Sequence, residues 1–94
     1  MSARILIVDD EPLNIELLVE LLKENYRTLV AKNGQQALQR AQSLPDLILL
    51  DVMMPDMDGY SVCAQLKADP KTAHIPIIFV TAMNDVDAEM RGFG

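Results

Sequence analysis

Arg4-Ile5-Leu6-Ile7-Val8-Asp9 is a short apolar run, rich in β-branched residues, that closes on an acid. A strand buried on both faces of a parallel sheet reads this way, because neither face is left to carry polar side chains. Two other runs resemble it, Leu47-Ile48-Leu49-Leu50-Asp51 and Ile75-Pro76-Ile77-Ile78-Phe79-Val80-Thr81. Arg27-Thr28-Leu29-Val30-Ala31 is shorter in its apolar part and polar at its start, as an edge strand would be. Pro76 must sit at the beginning of its strand, since proline cannot donate to a ladder.

Between these runs the hydrophobic period changes. Leu13, Leu17, Leu18, Leu21 and Leu22 recur at helical spacing after Pro12, a residue suited to the first helical position. Ala37, Leu38, Ala41 and Leu44 repeat the pattern before the third strand, and Tyr60, Val62, Cys63 and Leu66 repeat it before the fourth. The Leu and Met stripes are expected to be core. Asn33-Gly34, Asp58-Gly59 and Asp69-Pro70 read as turn signals. Strict alternation of strand and helix implies right-handed crossovers and an α/β, doubly wound parallel sheet with helices on both faces.

Length and charge narrow the function. The 94 residues, 50% hydrophobic, are read as one domain spanning 1–94. No apolar run approaches the roughly 20 residues of a membrane span, and Met1-Ser2-Ala3-Arg4 does not look like a secretory leader, so a cytoplasmic location is expected. The single cysteine, Cys63, offers neither an internal disulfide nor a thiolate metal site and is expected to pack within a helix. Fourteen acidic against eight basic residues give a net charge of −6, which argues against nucleic acid or an anionic membrane as direct partner. The acids are also segregated. Asp9, Asp10 and Glu11, then Asp51, Asp56 and Asp58, then Asp85 and Asp87 fall in three segments without Lys or Arg, each at the carboxyl end of a predicted strand. Ligands of open α/β sheets bind at those ends.

If the first and third strands are neighbours, about 4.8 Å apart, Asp9, Asp10 and Asp51 share one rim. Three carboxylates so close repel one another, and a hard divalent cation resolves the conflict. Mg²⁺ is the natural candidate, because it uses few carboxylates and leaves positions for phosphate oxygens. A carboxylate attacking phosphorus gives an acyl phosphate, and Asp51 is the best-placed nucleophile. Thr81, at the end of the fourth strand, can offer a hydroxyl to a phosphoryl oxygen, although a threonine there is also an ordinary capping group.

Ile7-Val8-Asp9-Asp10-Glu11-Pro12, Leu49 through Gly59 (LLDVMMPDMDG) and Val80-Thr81-Ala82 together resemble, in order and spacing, the three motifs of bacterial response-regulator receiver domains. The resemblance implies a flavodoxin-like sheet of strand order 2-1-3-4. It implies that Asp10 binds Mg²⁺ directly, Asp9 binds it through water, Asp51 is the phosphoacceptor, and the Met53 backbone carbonyl completes the metal site. Thr81 becomes the phosphoryl-sensing hydroxyl. The donor is expected to be a phosphohistidine on a sensor histidine kinase or phosphotransfer protein, so the domain is a signalling switch and not itself an enzyme. The motif style also resembles receivers fused to cyclic-di-GMP domains. Receivers carry a Lys at the end of a fifth strand, followed by a last helix, and this chain is expected to stop short of both. The edge of the fourth strand would then be open, and a homo-oligomer through it is expected.

Rival readings fit less well. A haloacid-dehalogenase-type phosphatase needs a second Asp where Met53 stands. A calcium loop aligned on Gly59 would put Met54 and Gln65 at its first and last ligand positions. No Gly-rich phosphate loop follows any strand. His74 is expected in a surface turn. The remaining alternative is a receiver-like interaction module that does not switch by phosphorylation because the Lys is absent.

Overall fold

The computed structural model describes residues 3–55 and 57–80. These form β1 (Arg4–Val8), α1 (Pro12–Leu22), β2 (Arg27–Ala31), α2 (Gly34–Ala41), β3 (Leu47–Asp51), α3 (Gly59–Ala68) and β4 (Ile77–Val80). Thr81, Asp56, Asp85 and Asp87 lie outside the described residues. The strands make one parallel sheet of order β2-β1-β3-β4, with Val8 beside both Ala31 and Leu50, and Asp51 beside Val80. The doubly wound class, the strand order and the edge position of β2 are as the sequence implies. Proline 76 immediately precedes β4, where its missing N–H costs the ladder nothing.

Side-chain alternation divides the strands between two faces. Leu6 and Val8 of β1 and Ile48 and Leu50 of β3 meet Ala37 and Ala41 of α2 and Val62 and Leu66 of α3 in the main core, closed by Met54 and Ile75. Burying each larger aliphatic side chain contributes about 1.5–3 kcal/mol. Ala37 and Ala41 let α2 lie close to the sheet.

The opposite face is less covered. Ile5 and Ile7 are buried there, but α1, packed against β1 and β2, buries none of its own residues completely. Its leucines are not all core as expected. Leu18 and Leu22 are half-buried with Ile15 and Val19, whereas Leu13, Leu17 and Leu21 form a solvent-facing row with at least 62% of their surface accessible. The helical stripe is wider than the strip of sheet beneath it.

Leu44 also departs from the expected helical stripe. It lies beyond α2 with φ of 59°, exposed, and ends the helix in the left-handed conformation usually taken by glycine. The Arg4 guanidinium holds the freed carbonyls, donating to Ser43 O at 2.6 Å and Leu44 O at 2.7 Å. Asn33 and Asp58, read as turn residues, are N-caps whose side chains accept from Gln36 N–H and Ser61 N–H, each at 2.8 Å. Tyr60 is exposed and stacks tilted on Phe79, with centroids 5.0 Å apart. Cys63 is half-buried against the core, and His74 is exposed in a turn.

Candidate functional site: an acidic rim at the sheet's carboxyl end

The β1–β3 pairing brings three carboxylates together from segments far apart in the chain. One oxygen from each of Asp9, Asp10 and Asp51 lies within 4.8 Å of the others. Asp9 and Asp51 are buried, while Asp10 is exposed. The Asp9 backbone N–H continues the sheet to Ala31 O at 3.1 Å, and its carboxylate accepts from Glu11 N–H at 2.9 Å. That bond orders the turn leading into α1, where Pro12 takes the first helical position.

Asp51 is the last residue of β3, and its carboxylate accepts a long bond from Met53 N–H at 3.3 Å. Burial, reinforced by the negative charge of Asp9, pushes its proton affinity up, against the opposing pull of the Met53 N–H. Asp10 adds a smaller push in the same direction, by charge and by hydrogen bonding. The result is a carboxyl with a pKa of about 7. An anion this unfavourable is one that a cation would stabilise strongly.

The donor set is three carboxylates, one of them exposed, and this suits a hard, partly hydrated divalent ion. Met53 is exposed at 64% and borders, with Val52, Met54, Pro55 and Asp58, an open concavity beside the rim. Among the described lysines, Lys23 pairs with Glu20, and Lys67 donates to Ala73 O and Ile75 O. Asp9, Asp10 and Asp51 meet at one rim, as adjacency of the first and third strands implied. Sequence reasoning missed Gly59, whose N–H donates to Val52 O at 2.9 Å and whose lack of a side chain admits α3 to the site.

The response regulator receiver domain family matches residues 5–93. The chain belongs to that family. This receiver domain is 50% identical over 94 residues to the response regulator PleD of Caulobacter vibrioides, covering 98% of the chain and 21% of that protein. It is 46% identical over 90 residues to a probable cyclic di-GMP phosphodiesterase of Vibrio cholerae, covering 95% of the chain and 20% of that protein. The receiver thus spans about a fifth of these relatives. Among solved structures it superposes on the receiver domain of the sensor histidine kinase PA1611 of Pseudomonas aeruginosa PAO1 with a TM-score of 0.82 and 32% identity, covering 93% of this chain and 75% of that one. That structure has a magnesium ion coordinated in its active site cleft. The role of the domain is that of a phosphoacceptor in two-component signalling.

Proposed function

We propose that Asp51 is the residue that takes the phosphoryl group, and that Asp9, Asp10, Asp51 and the Met53 backbone carbonyl hold a Mg²⁺ ion beside it. The observation that carries this reading is the convergence of three carboxylates within 4.8 Å, with Asp51 destabilised as an anion by its burial and by the charge of Asp9. Bound there, Mg²⁺ would supply positive charge against the phosphoryl oxygens. Deprotonated Asp51 donates an oxygen lone pair to phosphorus, and the bond from phosphorus to the donor's imidazole nitrogen breaks. The electron pair of that bond returns to the ring. The Asp9 carboxylate, which accepts from the Glu11 N–H, has an oxygen within 4.8 Å of one on Asp51. Thr81 is assigned the phosphoryl-sensing hydroxyl on its sequence position alone.

The donor is a phosphohistidine of a sensor histidine kinase or phosphotransfer protein, in the cytoplasm. The likeness to a cyclic-di-GMP phosphodiesterase supports cyclic-di-GMP turnover as the output of a longer protein carrying this domain. Self-association through β4 is part of the same proposal, since Ile78 and Phe79 are exposed at 52% and 39%.

Incubation with acetyl phosphate and Mg²⁺, followed by intact-mass measurement, tests the assignment. A single added phosphoryl group that disappears in Asp51→Asn supports it. Labelling that persists in Asp51→Asn refutes it.

A further inference from the structure

Two glycines begin helices beside the site, and the space around them differs in kind. A Cβ on Gly34 would meet side chains, Met57 Cβ at 2.8 Å, Met57 Sδ at 2.9 Å and Val62 Cγ2 at 3.0 Å. A Cβ on Gly59 would meet backbone instead: Val52 Cα at 2.9 Å, the Asp51 carbonyl carbon at 3.1 Å, and the Asp51 carbonyl oxygen closer still. Met57 Sδ can turn away, and Met57 Cβ can yield with the loop before α3 that carries it. Backbone at the end of a central strand can yield only by moving what it carries.

We propose that Gly59 is a positioning residue of the acidic rim, fixing the Asp51–Met53 backbone by admitting the first turn of α3 into direct contact with it. The inference deepens the assignment of Asp51 and the Met53 carbonyl and rests on that reading for its consequence. The segment is held at two points. The Gly59 N–H holds Val52 O at 2.9 Å, and the Met53 N–H holds the Asp51 carboxylate at 3.3 Å. A methyl group on Gly59 drives the first point outward and loosens the second, because one short stretch of backbone joins them. The helix that applies this constraint is itself anchored, through the Asp58 cap and through Val62 and Leu66 in the core.

Gly59→Ala and Gly34→Ala, made in the 94-residue chain, separate positioning from simple packing. The measurements are backbone amide shifts and hydrogen exchange without metal, Mg²⁺ titration, and thermal melting. Both variants should melt at lower temperature. Only Gly59→Ala should move the amides of Asp51, Val52 and Met53, speed exchange at Met53, and weaken Mg²⁺ binding by about tenfold or more.

A folded Gly59→Ala with those amides and the Mg²⁺ affinity unchanged overturns the proposal, and so does Gly34→Ala moving them equally. Should Gly59→Ala not fold, Asp58→Ala, which removes the cap bond to Ser61, replaces it. Exchange should then rise together at Gly59 and Met53, and a rise at Gly59 alone overturns the proposal. If the parent chain binds no Mg²⁺, the metal assignment fails, while the metal-free amide comparison still decides the role of Gly59.

Discussion

Asp9, the residue after β1, and Asp51, the last residue of the neighbouring parallel strand β3, are both buried, and the charge of Asp9 adds to the burial that raises the Asp51 pKa to about 7. The folded chain therefore binds a proton at Asp51 that the unfolded chain, near its ordinary value of 3.8, has already released. Between those two values the native state holds more protons than the unfolded state, so this group's contribution to stability declines as pH rises, and levels off above about 7. Asp51→Asn removes the penalty. It should raise the melting temperature at pH 8 by several degrees, at about 4–8 °C per kcal/mol for a domain of this size, with the gain vanishing toward pH 4. Thermal melts across that range check it, and an equal gain at both ends would refute the electrostatic account.

Protons and Mg²⁺ compete for the same carboxylate. The apparent Mg²⁺ affinity should rise about tenfold per pH unit below 7 and flatten above it. Calorimetric titrations at pH 6, 7 and 8 would show this curvature, and affinity independent of pH would place the ion elsewhere.

The left-handed residue Leu44 is the most economical place to add stability. A non-glycine residue in that conformation costs roughly 1–2 kcal/mol, and Leu44 is 45% exposed, so little packing is lost by removing it. Leu44→Asn, which tolerates the conformation, is expected to be neutral to stabilising by about 1 kcal/mol. Denaturant unfolding measures it. A loss above about 1 kcal/mol would mean that the leucine side chain, not its backbone, matters.

Two apolar surfaces could drive self-association, and one substitution in each distinguishes them. Ile78→Lys places a charge on β4, and Leu17→Gln breaks the exposed row on α1. If β4 is the contact, Ile78→Lys should leave a monomer by sedimentation and Leu17→Gln should not. The reverse result would move the interface to α1.

Most of the fold was legible because buried parallel strands leave an unmistakable apolar record. Arg27–Ala31 and Leu47–Asp51 match the sequence reading residue for residue, and Pro12 marks the start of α1. The rim was legible for a related reason, since acids at strand ends have nowhere to go but the edge of the sheet. What periodicity could not say was which leucines of α1 reach the sheet, because a stripe fixes a helix face but not the width of its support. Nor did spacing distinguish caps from turns at Asn33 and Asp58, as the same side-chain chemistry serves both. Gly59 was passed over as a turn glycine. Its importance lies in what stands beside it, which only the packed structure reveals.

The pairing of β1 with β3 has a kinetic side. Arg4 and Asp46, which clasp each other at the base of these strands through Arg4 N–H to Asp46 Oδ2 at 2.7 Å, are 42 residues apart in sequence. Two crossovers, with β2 between them, must be laid down before the three acids can meet, and closing so long a loop is slow compared with forming any helix on the way. An unfolded or half-folded chain consequently owns the carboxylates but not the rim. A divalent ion that needs all three ligands should leave the folding rate of this chain nearly untouched and slow its unfolding instead.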